Sequence, residues 1–192
     1  MKLRTAYVLA FSLIAAWGLT ALILHQPLWA TQRGRDLLKL GAANGDIFTT
    51  QQWWRLLTSQ WLHMKFAHML LNAALIGWVG LYVERSVSAR FMLLAYAIGG
   101  CLAQAVGVWL YPDLITSGAS QALLSLSAIA LCLPNAARKA MPSGLIAACI
   151  AILIAAALDI VSAHTLKAGH LAGLGIGLII GIAYRFEAAR HR

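Results

Sequence analysis

The sequence predicts an all-α membrane protein, a bundle of six membrane-spanning helices with a long interfacial first loop. Three observations predict it. Of 192 residues, 61% are hydrophobic and only 11% are charged, whereas a water-soluble domain carries about 25% charged residues. Apolar runs recur along nearly the whole chain, leaving little room for a separate soluble domain. The basic residues gather at the ends of these runs, where anionic lipid and the cytoplasmic bias of Lys and Arg account for them. The length suits a single domain, 1–192.

The formal net charge is +9. No basic patch with interleaved aromatics accompanies it, so nucleic acid is not an expected partner and the lipid bilayer is. Cys101, Cys132 and Cys149 lie inside apolar runs without CxxC spacing. They read as small membrane-core residues, neither a disulfide framework nor a zinc site. No cofactor is expected, and the oligomeric state is not legible.

The first span covers 5–24. Lys2 and Arg4 before it resemble the basic start of a signal peptide. Its apolar run exceeds the usual ~7–15 residues and no A-x-A site follows, so a retained span is expected. The connection from His25 to Lys65 is about forty residues, long for a loop. It holds Trp29, Phe48, Trp53, Trp54 and Trp61, too many aromatics for a solvated linker. A partly helical segment lying in the membrane interface fits them. The second span covers 66–83, the third 91–110, the fourth 120–134, the fifth 143–158 and the sixth 168–184. The last three fall short of the ~20 residues a helix needs to cross, which suits a thinned bilayer or a water-filled cavity.

With the N-terminus in the cytoplasm, Lys2, Arg4, Arg85, Arg90, Arg138, Lys139, Arg185, Arg190 and Arg192 fall on the cytoplasmic side. Arg33, Arg35, Lys39, Arg55, Lys65 and Lys167 fall on the other, mostly in the one long loop, where charge counts less. Both termini are then cytoplasmic, as an even number of spans requires.

Polar side chains inside spans are costly and each is a candidate for function. At the entry of the second span, His68 and Asn72 are four residues apart, on one helix face. Both can donate a hydrogen bond to an anion, or simply join two helices. His63 lies five residues earlier and points elsewhere or precedes the helix. The spacing is not HExxH and no acid or thiol is near, so no metal site is expected. Ser120 follows Gly118 and Ala119 at the start of the fourth span. It is a nucleophile candidate or, equally plainly, a helix N-cap, a role Ser117 also suits. In the sixth span Gly169, Gly173, Gly177 and Gly181 recur every four residues. Such a stripe admits close approach of a second helix. His170 lies beside it, so packing against the fourth span would bring it to Ser120.

Together these groups supply a nucleophile, a base and oxyanion donors at one membrane face. A serine hydroxyl needs a base to take its proton, and His170 has a suitable ordinary pKa. The oxyanion calls for preorganised donors, for which His68, Asn72 and the Ser120 N–H serve. No third member stands out, and a Ser–His dyad is chemically adequate.

These residues resemble the rhomboid protease family, from Trp54 to Tyr184. Trp54-Arg55 resembles the family's Trp-Arg pair in the first loop. His63, His68 and Asn72 reproduce its HxxxxHxxxN pattern, and Glu84-Arg85 resembles its acidic–basic motif. Ser120 stands at the nucleophile of a GxS motif with Gly118. His170, followed by Ala172-Gly173, stands at the base. Asp159 looks like an acidic residue many members carry in the loop before the sixth span. The family pattern is usually GxSG, and Gln121 departs from it. The compact chain, with no extra domain, resembles the bacterial rhombosortase subgroup. That resemblance implies membrane-anchored substrates with a C-terminal tail of Gly-Gly, an apolar helix and basic residues. The implied activity is an intramembrane serine endopeptidase. Independently of the resemblance, the small and polar residues of the 159–167 loop make it and the fifth span the expected gate. Two other classes stay open: an inactive rhomboid-like protein that binds membrane helices, and a transporter or channel. The second would spread polar residues through the membrane depth, whereas here they gather at one end.

Overall fold

A computed structural model describes residues 4–134 and 139–190. Lys2, Arg138 and Arg192, used above for orientation, lie outside the described residues. The described residues form helices joined by loops, with one isolated bridge between Ala43 and Thr116 as their extended pairing. The protein is an all-α, multi-pass membrane protein. Five of its helices are long and apolar enough to cross a membrane, and a sixth is apolar but shorter.

Helix α1 (Thr5–Ile23) buries Ala6, Leu9, Ala10, Leu13, Trp17, Thr20 and Ala21. Their spacing of three and four residues makes one stripe. That stripe meets α5 (Phe66–Glu84) where small residues allow it: Gly80 faces Ala6 and Gly77 faces Ala10. At the far end of α5, the Glu84 carboxylate accepts from the backbone N–H groups of Thr5 (3.1 Å) and Ala6 (3.0 Å). It thereby satisfies two donors that α1 leaves without intrahelical partners. Glu84 and the exposed Arg85 thus sit at the end of the bundle where α1 starts.

The first loop contains three short helices, α2 (Gly34–Lys39), α3 (Ile47–Thr50) and α4 (Arg55–Thr58). Arg55 ties α4 to α2 and to the turn that follows α2. Its Nη1 donates to the carbonyls of Leu38 (2.6 Å) and Ala42 (3.0 Å), and its guanidinium lies 4.7 Å from the Trp54 ring centre. Trp29, Trp53 and Trp54 remain about half exposed or more, the pattern of a loop resting at a lipid–water boundary. The Ala43–Thr116 bridge and a Gly45 N–H to Pro112 O bond (2.8 Å) fasten this loop to the segment before α7.

Helix α6 (Ala89–Leu110) starts on Ser88, whose Oγ accepts from Phe91 N–H. Helix α7 (Ser120–Cys132) is the centre of the bundle and is buried along almost its whole length. Its 13 residues rise only about 20 Å, against a hydrocarbon core of about 30 Å. At least one end of α7 therefore lies within the depth its neighbours cover.

Helices α8 (Pro142–Ala163) and α9 (Ala168–Arg190) have 22 and 23 residues. They correct the expectation that the last three spans are all short; only α7 is. The fifth span, expected to end at Leu158, continues through Asp159, whose side chain is turned inward and paired. The sixth, expected to end at Tyr184, runs on into polar residues. On α9, Gly169, Gly173, Gly177 and Gly181 are the buried positions. Each faces α7: Gly169 and Gly173 against Gln121, Gly177 against Ser125, Gly181 against Cys132 and Ile129.

Candidate active site

The glycine stripe decides the geometry of the site. With no Cβ between them, α7 and α9 approach until their first turns touch. Ser120, the first residue of α7, then reaches His170, the third residue of α9. The distance from Ser120 Oγ to His170 Nε2 is 2.7 Å, across fifty residues of chain. The N-cap of α7 is Ala119, and no side-chain cap is formed there. The Ser120 hydroxyl therefore serves the imidazole and not the helix end, and Ser117 does not cap it either.

Gly118 prepares this start. Its φ of +124° lies in the left-handed region, which a side chain would strain. Its N–H donates to Ser59 O (2.9 Å) and its carbonyl accepts from Gln104 Nε2 (3.4 Å). The turn is thereby tied to both the first loop and α6.

His63 lies outside the helices and is almost fully buried. Its Nε2 is 3.0 Å from Asn72 Nδ2 and accepts from the Ala119 N–H at 3.3 Å. Accepting there requires a proton on Nδ1, which faces Trp61 O at 3.4 Å. The ring is kept neutral: burial above all, then the neighbouring His68, pushes its pKa down to about 3. His63 thus joins Asn72 to the backbone that precedes Ser120. His68 packs edge-on against it, with ring centres 5.5 Å apart.

A cavity of about 540 Å³ opens between α5, α7, α8 and α9. His68, Asn72, Ser120, Gln121, Asp159 and His170 all line it, with Lys65 and Lys167 alongside. Of the residues singled out from sequence, His63, His68, Asn72, Gly118, Ser120, His170 and Gly173 come together here. Trp54 and Arg55 brace the first loop, and Glu84 and Arg85 sit at the other end of α5.

Two residues were under-read. Gln121 Oε1 lies 3.2 Å from Ser120 Oγ, whose single proton goes to the nearer His170 Nε2, and Gln121 Nε2 donates to Gln104 Oε1 (3.2 Å). Thr116 Oγ1 donates to the same Gln104 oxygen at 2.8 Å. Asp159 was expected in a loop before the sixth span. It lies instead within α8, fully buried, with Oδ2 2.7 Å from His170 Nδ1. The signal in the sequence is an acid inside an apolar run, which reads as a helix end until its partners are seen.

Fold and cavity together define a multi-pass membrane protein with a buried polar centre at one end of its bundle. The chain belongs to the rhomboid family: the family model described as "Rhomboid domain" matches residues 50–186. It is similar to RHOMBOID-like protein 7 of Arabidopsis thaliana, 34% identical over 91 residues, 47% of this chain and 29% of the relative. It is similar to Rhomboid protease GluP of Bacillus subtilis (strain 168), 33% identical over 88 residues, 45% of this chain and 17% of the relative. A longer match, 27% identical over 152 residues, links it to Rhomboid-like protease 2 of Toxoplasma gondii, covering 77% of this chain and 53% of the relative. The chain spans about half or less of the length of these relatives.

Proposed function

We propose that the chain is an intramembrane serine endopeptidase that hydrolyses a peptide bond in or near a substrate's transmembrane segment. One observation carries this reading: the 2.7 Å contact between Ser120 Oγ and His170 Nε2 in the wall of a cavity. In this reading His170 takes the Ser120 proton as Oγ attacks the scissile carbonyl carbon. The negative charge that develops on the carbonyl oxygen is held by His68, Asn72 and the Ser120 N–H. Asn72 suits the task because an amide has two N–H donors. One engages His63, leaving the other for the oxyanion. Collapse of the tetrahedral species breaks the C–N bond, and His170 returns the proton to the leaving amine. Water, activated by the same imidazole, then hydrolyses the ester on Ser120.

The substrate must unwind locally to present its carbonyl, which favours residues that weaken helices. Gln121 narrows the choice further. Where the family usually has glycine, its side chain occupies space beside the nucleophile, so residues with little or no side chain fit best. A Gly-Gly tail of a secreted protein, as cut by rhombosortases, meets both demands. The single-domain protein sits in a bacterial inner membrane with both termini cytoplasmic. The cavity end, with Lys65 and Lys167, faces outward, and membrane-anchored substrates enter beside α8.

The test is cleavage in proteoliposomes of a reporter bearing a Gly-Gly, apolar-helix, basic tail. Wild type releases the reporter, and Ser120→Ala and His170→Ala do not. Equal release by all three proteins overturns the reading. Cleavage of an unrelated transmembrane reporter, with the Gly-Gly reporter left intact, overturns the substrate class alone.

A further inference from the structure

We propose that Asp159 is a positioning residue, the third member of a Ser120–His170–Asp159 relay that holds the imidazole in the tautomer and orientation the reaction needs. This rests on the serine endopeptidase reading above.

A carboxylate buried among apolar helices is tolerated only when its oxygens are satisfied. Asp159 is fully buried, with two contacts to Oδ2 and an ion pair at Oδ1. Oδ2 accepts from the Lys167 backbone N–H at 3.0 Å and lies 2.7 Å from His170 Nδ1. Oδ1 lies 3.2 Å from Lys167 Nζ. Lys167 contributes two obligate donors, its N–H and its ammonium, so the carboxyl group is the acceptor. An ionised carboxylate only accepts, which makes Nδ1 the protonated nitrogen of His170. The lone pair is then on Nε2, 2.7 Å from Ser120 Oγ, where a base must have it. When the Ser120 proton arrives, the imidazolium finds a carboxylate already beside it.

The location of Asp159 argues for this role as strongly as its distances do. The buried residues of α8 are Gly144, Ala147, Ala148 and Ala151, and then Asp159. Between Ala151 and Asp159 the inward face of α8 lines the cavity through Ile154, Ala155 and Leu158. That half of the helix is held to α9 by a polar tie rather than by packing. The base is therefore aligned from the helix that borders the cavity.

The test uses the full chain in proteoliposomes, with ¹⁵N-histidine labelling and a fluorophosphonate probe. Asp159→Asn keeps the shape; its amide oxygen stays with the Lys167 ammonium in the Oδ1 place, so its N–H₂ group takes the Oδ2 place, which presents a donor to Nδ1 and gives up the bond from the Lys167 N–H. The expected result is a folded protein whose labelling rate falls by about 10³-fold or more, as in other serine triads with the wrong imidazole tautomer. The His170 signal, assigned with His170→Gln, moves from the Nδ1–H to the Nε2–H tautomer. Lys167→Ala, which leaves the Asp159 Oδ2–His170 Nδ1 bond in place, is expected to keep His170 in the Nδ1–H tautomer. A merely structural clasp between α8 and α9 predicts instead that both variants lose stability together and that the tautomer stays put; that outcome overturns the inference. If Asp159→Asn does not fold, the wild-type spectrum decides, because an Nε2–H tautomer at His170 contradicts the relay by itself. A wild-type rate in Asp159→Asn with unchanged tautomer sinks the relay and leaves the Ser120–His170 reading standing. A wild type inert to the probe sinks both.

Discussion

Gly173 lies against the backbone of Gln121 so closely that a Cβ placed on it would fall 2.5 Å from the Gln121 carbonyl oxygen. This contact, one turn along α9 from His170 and beside Ser120 on α7, sets the separation of the two helices that carry the site.

Gly173→Leu therefore forces α9 away from α7. Overpacking of this kind costs about 1–3 kcal/mol, and the displacement takes His170 out of reach of Ser120. Fluorophosphonate labelling is expected to fall to background, with a lowered Tm. Gly175→Ala is the matched control, because nothing lies within 4 Å of a Cβ there; it is expected to label as wild type does.

Glu84 and Thr5 give a prediction of the opposite kind. Glu84→Ala removes the two bonds to the α1 N-terminus, a loss of about 1–2 kcal/mol for a helix cap. Those bonds lie at the other end of α5 from Ser120. Tm falls, while labelling per folded molecule stays at the wild-type level.

His63 couples stability to pH. Its folded pKa, pushed down to about 3 by burial and by His68, lies below the ordinary value of about 6.5. The folded state therefore binds fewer protons than the unfolded one. The contribution of His63 is fully present above pH 6.5 and is lost progressively as pH falls from 6.5 toward 3. His63→Gln, which has no ring to protonate, is expected to show a shallower fall of Tm over that window. Parallel Tm curves would show that the site stays hydrated and chargeable.

Gln121→Gly restores the family's usual residue beside Ser120. The variant is expected to cleave tails with larger residues at the scissile bond more readily than wild type does. Competition between a Gly-Gly tail and an Ala-Leu tail reads the change directly. An unaltered preference would mean that the Gln121 side chain does not shape the site.

Much of this arrangement was legible because membrane interiors make polar residues conspicuous. Ser120, His170, His68 and Asn72 stood out as polar groups in apolar runs, and the four-residue glycine period said which helix faces approach. What was not legible depended on pairing across the fold. Asp159 looked like a helix end because charge next to an apolar run usually is one. Only its partners, Lys167 and His170, explain why α8 continues through it. Glu84 carried no sign that it would cap a helix almost eighty residues earlier in the chain. Helices α2 to α4 are too short for any period to appear, and Arg55 joins α4 to α2 through carbonyls that no side-chain pattern reveals. Gln121 registered as a departure from a motif, but its contact with Ser120 and its bond to Gln104 came from the packing of α6 against α7.

The central claim is that Ser120 is an activated nucleophile with His170 as its base. The most direct measurement treats wild type, Ser120→Ala and His170→Ala, purified in proteoliposomes, with a fluorophosphonate serine probe. The account predicts labelled wild type, no label on Ser120→Ala and a strongly reduced label on His170→Ala. If wild type stays unlabelled while an active rhomboid protease reacts under the same conditions, the claim is contradicted, and the chain is better understood as a rhomboid-like protein that binds membrane helices without cutting them.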